Sequence, residues 1–121
     1  MSQWIVSGHS LGGAVGSEQA VRDGAGLILL GSYPIGDISD AAIPVLSISA
    51  GNDGLSTPAD IQASRSDLPP DTEFVEIPGA VHAFFGNYGE QPGDGQPTIT
   101  REDAHRQTAA AILAFLKKVN N

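Results

Sequence analysis

The stretch Trp4-Ile5-Val6-Ser7-Gly8-His9-Ser10-Leu11-Gly12-Gly13 begins with an apolar run and ends on two glycines. The apolar run predicts a buried strand from Gln3 to Ser7, and the small residues that follow predict a helix from Ser10 to Arg22. Ser10 then stands at the tip of a sharp strand-to-helix turn, flanked by Gly8 and Gly12 in the pattern Gly-x-Ser-x-Gly. A serine in such a turn has a strained backbone, and neighbours without a Cβ let strand and helix close around it. The turn exposes the hydroxyl. It also places the partial positive charge of a helix N-terminus beneath any oxyanion formed there.

Outward from this turn, short apolar runs alternate with helical patterns. Gly12, Gly16 and Ala20 are spaced four apart and predict a smooth face against the sheet, with Glu18 and Arg22 on a solvated face. Asp23-Gly24 ends the helix. Ala25 to Leu30 predicts a second buried strand, and Gly31-Ser32-Tyr33-Pro34 stops it. Asp37 to Ala42 is a polar connection with room for a helical turn. Pro44 to Ala50 predicts a third strand, followed by the turn residues Gly51-Asn52-Asp53-Gly54. Thr57 is placed to cap a second helix with Pro58 at its first position, running to about Ser66. Thr72 to Ile77 predicts a fourth strand, and Glu73 and Glu76 put it toward a sheet edge.

A long Gly/Pro-rich loop follows His82, of the kind that usually serves function. A last helix begins at Thr100 with a capping-box-like pattern. Its apolar stripe is Thr108, Ala111, Ile112, Phe115, Leu116 and Val119. The expected fold is α/β: a three-layer sandwich with a mostly parallel sheet of about four strands and flanking helices, residues 1–121 forming a single partial domain.

Composition narrows the function. The 121 residues carry a net charge of −8 and no cysteine. Without a basic patch to displace counterions, neither nucleic acid nor an anionic membrane is an expected partner. Thiolate chemistry is absent, and no His-x-x-x-His pair points to a metal, so no metal or cofactor is expected. No signal-peptide pattern and no membrane-length apolar run is visible, and a soluble, cytoplasmic protein is the default expectation.

A serine hydroxyl needs a base within reach, and the base needs an acid to set its tautomer. In a parallel sheet such groups converge at the carboxyl ends of strands. Ser10 follows the first predicted strand, Asp53 the third and His82 the fourth. Asp37 and Asp40 follow the second and are the alternative acids. Asp53 alone would read as a turn former, and His82 alone as a structural histidine; order and placement together make them a set. His9 reads as a packing or hydrogen-bonding residue that borders a substrate pocket, and His105 as solvated. Tyr33, Phe84, Phe85 and Tyr88 are candidate pocket-lining aromatics.

Three stretches carry a family resemblance: Gly8 to Gly13, Ser49 to Pro58 (Ser-Ala-Gly-Asn-Asp-Gly-Leu-Ser-Thr-Pro) and Val81 to Gly95. Together they resemble the C-terminal part of an α/β-hydrolase, over essentially the whole chain, and the last is similar to small bacterial esterases grouped with dienelactone hydrolases. Dienelactone hydrolases proper commonly carry cysteine where Ser10 stands. The order Ser, Asp, His is the hydrolase order, and Gly-x-Ser-x-Gly its nucleophile elbow.

The resemblance implies Ser10 as nucleophile, Asp53 as acid, His82 as base and the Leu11 backbone N–H as an oxyanion donor. It implies a small-molecule ester or lactone as substrate. The family places several strands before the elbow strand, and one loop there supplies a second oxyanion N–H. The N-terminal strands of the fold are therefore expected to lie outside this sequence, leaving the first strand as an open edge. That edge suggests either a homodimer by strand pairing or a weakly active fragment. An acyltransferase would use the same three side chains.

Overall fold

The computed structural model of the chain describes residues 4–86, 89 and 91–119. Four strands, β1 (Ile5–His9), β2 (Gly26–Leu30), β3 (Val45–Ala50) and β4 (Glu73–Ile77), form one sheet in the order β1-β2-β3-β4. All three pairings are parallel, with Val6 opposite Leu27, Leu29 opposite Ser47 and Ser47 opposite Phe74. Three helices flank the sheet: α1 (Leu11–Asp23), α2 (Pro58–Ala63) and α3 (Arg101–Val119). Short 3-10 turns occupy Ser64–Asp67 and His82–Phe85.

The sheet's two faces bury different residues because strand side chains alternate. Leu27, Leu29 and Val45 pack with Ala20 of α1 on one face. Ile28, Leu46, Ile48 and Ile77 pack with Ala104 and Phe115 of α3 on the other. The central strands β2 and β3 are almost wholly buried, which is why they are predominantly apolar, with only the small Ser47 and Ser49 interrupting β3. Among the described residues β1 and β4 are the edges. Lys118 pairs with Glu73 of β4 at the surface.

Local chemistry sets the helix ends. Thr57 Oγ1 accepts from the Asp60 N–H while Asp60 accepts from the Thr57 N–H, a reciprocal capping box behind Pro58. Thr100 Oγ1 accepts from the Asp103 N–H at the start of α3. Gly24 ends α1 in the left-handed conformation at φ 64°. Along α3, Ala111, Ile112 and Val119 pack on the core beside Phe115, while Leu113 faces outward.

Several expectations shift. The first strand starts at Ile5 and runs on through His9, and Gln3 lies outside the described residues. Of the expected face Gly12, Gly16 and Ala20, Ala20 is buried and Gly16 lies close to Val6 of β1, whereas Gly12 is exposed; Gly13 and Ser17 are the other buried residues of α1. Steps of four residues drift by about 40° around a helix of about 3.6 residues per turn, so Gly12 turns out of the face that buries Ala20, and a Cβ there would meet only open space. Between Asp37 and Ala42 the chain makes one hydrogen-bonded turn, the Ala41 N–H donating to the Ile38 carbonyl at 3.0 Å, and no helix. Asp37 Oδ1 accepts from the Ser39 N–H, and the Ile38 N–H is spent on the Asp67 carbonyl. Both contacts draw the backbone away from helical pairing. No described helix is long and apolar enough to cross a membrane.

Candidate active site

Ser10 sits between β1 and α1 at φ 57°, ψ −126°, the only described non-glycine residue with positive φ. A conformation this sparsely populated costs on the order of 1–3 kcal/mol and persists only where its surroundings hold it. Here they do. The Ser10 N–H donates to the Leu30 carbonyl at 3.1 Å. Its carbonyl accepts from the N–H groups of Gly13 and Ala14, and from Ser32 Oγ at 2.5 Å. A Cβ on Gly8 would lie 2.5 Å from the Gly12 carbonyl carbon, and one on Gly13 would lie 2.6 Å from Ser32 Oγ. The close approach is thus made by Gly8 and Gly13. Ser32 is a part of this elbow that the sequence did not single out; its position just past the end of β2 was the available signal.

Asp53 follows β3 and its side chain is fully buried. Oδ1 accepts from the Leu55 and Ser56 N–H groups, both at 2.8 Å. Oδ2 lies 2.7 Å from His82 Nδ1. The carboxylate therefore holds the His82 proton on Nδ1 and leaves Nε2 as the acceptor nitrogen. His82 opens the 3-10 turn after β4, and only 4% of its side chain is exposed.

Ser10 and His82 both line a surface cleft with two adjoining lobes of about 430 and 440 Å³. Tyr33, Ser32 and Ser56 border one lobe; His9, Gln91 and Pro92 border the other. Leu11 and Leu55 line both. Among the described residues no hydrogen bond joins the Ser10 hydroxyl to the His82 ring, and the Leu11 N–H has no protein acceptor. Ser10 and Leu11 both line the cleft.

His9 packs its ring on His82 at a centroid distance of 4.5 Å, and on Phe85 at 5.8 Å. Burial pushes the His9 imidazole below its ordinary 6.5, and the neighbouring His82 adds to this; a hydrogen bond to the His82 backbone and the charges of Asp53 and Asp94 oppose without cancelling it. His9 is thereby kept neutral where it packs on the His82 ring. The unfolded chain binds the His9 proton more tightly than the folded one. The stability this provides is complete above pH 6.5 and is lost as pH falls toward the lowered folded value. Urea midpoints measured between about pH 7 and pH 5.5 should fall less steeply for His9→Phe than for the parent chain. Equal slopes would remove this role for His9.

The other candidates separate. Phe84 does not line the cleft. It borders a second cavity, of about 180 Å³, behind His82 with Val81, Asp94 and Arg101, and lies under the Arg101 guanidinium at 5.0 Å. Residues three apart in a 3-10 turn share a face, as His82 and Phe85 do against His9, while Phe84 points about a third of a turn away. Tyr88 lies outside the described residues. Asp37 and Asp40 are exposed, and neither reaches a histidine. Hydrogen bonds from Ser39 hold the Asp37 carboxyl below its ordinary range. His105 is exposed on α3, three residues from the exposed Glu102. Among the described residues no group of three or more His, Asp or Glu could hold a metal ion.

An acidic side chain that sequence reading passed over stands beside His82. Asp94 Oδ1 accepts from the His82 N–H at 3.1 Å, and its Oδ2 from the Ala83 N–H at 3.0 Å. The signal available for it was an acid between two glycines, Gly93-Asp94-Gly95, within a long loop.

The family model described as the alpha/beta hydrolase family matches residues 1–106, a span that includes Ser10, Asp53 and His82. The chain belongs to the α/β hydrolase family. No curated protein sequence matches it. Among solved structures, this α/β hydrolase chain is similar to a thermophilic esterase from Thermogutta terrifontis, with 16% identity and a TM-score of 0.72 over 99% of the chain. It is similar to a dienelactone hydrolase-like promiscuous phosphotriesterase from metagenomic libraries, with 18% identity and a TM-score of 0.63 over 97% of the chain. A serine hydrolase homologue from Coxiella burnetii matches with 21% identity and a TM-score of 0.61 over 69% of the chain. The chain spans 66%, 52% and 43% of those three proteins respectively. At these identities the likeness is one of fold.

Proposed function

We propose that this α/β hydrolase chain carries the nucleophile, acid and base of a serine hydrolase acting on carboxylic esters or lactones. The observation that supports the reading best is the buried 2.7 Å pairing of His82 Nδ1 with Asp53, at the edge of the cleft where the strained Ser10 opens. Ser10 Oγ attacks the substrate carbonyl carbon while His82 Nε2 takes the hydroxyl proton. Asp53 stabilises the imidazolium, and the Leu11 N–H at the start of α1 donates to the oxyanion. The tetrahedral adduct collapses, the carbon–oxygen bond to the alcohol breaks, and His82 returns the proton to the departing oxygen. Water repeats the sequence on the acyl-serine and releases the acid. The esterase among the structural neighbours is in keeping with this substrate class.

The test is covalent labelling. A fluorophosphonate probe incubated with folded chain should label one serine, and peptide mass spectrometry should place the adduct on Ser10. A chain that stays unlabelled, or is labelled elsewhere, would refute the assignment.

A second reading rests on the outer edge of β1, which no described strand covers, next to Trp4 at 85% exposure. Open edges pair readily, so two copies associating there form a homodimer without catalysis. Sedimentation velocity showing only monomer at tens of micromolar would end this reading.

A further inference from the structure

We infer that Asp94 is a positioning residue for His82: its carboxylate ties the base turn to the acid loop and so sets the geometry between the base and Asp53. The catalytic part of this inference rests on the function proposed above; the geometric part does not.

The 3-10 turn His82–Phe85 begins with two N–H groups, of His82 and Ala83, that have no acceptor within the turn. Asp94 takes both, one on each oxygen. Its Oδ1 also accepts from the Gly54 N–H at 3.2 Å and from its own neighbour Gly95 at 2.8 Å. Gly54 is the residue directly after Asp53. One carboxylate therefore bridges the backbone of the base and the backbone of the acid. Such charge-assisted bonds are about twice as strong as neutral ones.

The residues around Asp94 pack closely on those flanking Asp53. A Cβ on Gly95 would lie 1.8 Å from the Asn52 carbonyl oxygen, and one on Gly54 would lie 2.3 Å from the Gly93 oxygen. Asn52 Nδ2 donates to the Gln96 carbonyl at 2.9 Å, fastening the same two segments a second time. Arg101 secures the far end of the turn, donating to the carbonyls of Gly86 at 2.7 Å and Ala83 at 3.4 Å. The base turn is held by an anion at its N–H end and a cation at its carbonyl end. Partial burial would raise the Asp94 carboxyl, but the amides of Ala83, Gly54, Gly95 and His82 outweigh it and hold the group below its ordinary range. Asp94 is thus ionised at neutral pH, the state the bridge needs.

If Asp94 only folded its loop, its removal would lower stability and leave the His82 ring unchanged. The experiment uses the full chain with 15N-labelled histidine, in the parent, Asp94→Asn and Asp94→Ala forms, well below the melting temperature of each. The ring nitrogen shifts of His82, assigned by their loss in His82→Gln, report which nitrogen holds the proton. The parent should be protonated on Nδ1, with Asp94→Asn showing a partial and Asp94→Ala a larger shift toward mixed tautomers. Asp94→Asn keeps an acceptor oxygen and serves as the folded variant should Asp94→Ala be too unstable. Kinetics on a short-chain ester should show kcat reduced by about tenfold or more in Asp94→Ala, with KM little changed and partial rescue in Asp94→Asn. Parent-like His82 shifts in the folded variants would overturn the inference. A parent chain inert toward ester and fluorophosphonate alike would count against the hydrolase reading alone, and the ring shifts would still decide the role of Asp94.

Discussion

Ser10→Ala is expected to lower hydrolysis of a chromogenic short-chain ester by at least about a thousandfold and to abolish fluorophosphonate labelling. The reason is chemical rather than structural. The Ser10 hydroxyl makes no hydrogen bond among the described residues, while the elbow is held by its backbone N–H and carbonyl, which alanine keeps. Alanine also tolerates φ 57° about as poorly as serine does. The variant should therefore unfold within about 0.5 kcal/mol of the parent, as a substitution that removes no packing or hydrogen bond does. Parent and variant hydrolysing at equal rates would show that another group attacks the ester.

Asp53→Asn should leave the side chain in place and still lower kcat by about ten-thousandfold, the magnitude that loss of the correct histidine tautomer produces in serine hydrolases of this type. The amide oxygen can keep the two bonds from Leu55 and Ser56, which fix the Oδ1 position. The amide nitrogen then replaces Oδ2 at 2.7 Å from His82 Nδ1. Two donors cannot face each other there, so the imidazole moves its proton to Nε2, where a proton must be received from Ser10. The same 15N shifts of His82 would display the exchanged tautomer. A variant with Nε2 protonated and full activity would sink the base assignment.

These expectations depend on contacts of very different legibility. Strand and helix patterns were readable because β2 is apolar throughout and β3 carries only the small Ser47 and Ser49 among apolar residues, both strands being buried on both faces. Asp53 and His82 were readable as a pair because a parallel sheet sends the residues after its strands to one edge, and order alone then selects them. The face of α1 was misread at Gly12 because steps of four residues drift around a helix of about 3.6 residues per turn, so Gly12 turns outward while Gly13, Ser17 and Ala20 are buried. Phe84 was misassigned because sequence gives no rotation for a four-residue 3-10 turn, and rotation decides which ring meets His9.

What the sequence determined by itself is the order of the elements, the identity of the elbow and the acid and base candidates, since strand period, turn chemistry and chain order are local properties. What only the tertiary structure decided is how those groups are held: His9 stacked on the base, Ser32 fastened to the elbow carbonyl, and Asp94 bridging His82 to the residue after Asp53. Each of these contacts joins segments far apart in the chain. Most involve backbone N–H and C=O groups, which every residue type carries alike, so no pattern of side chains announces them.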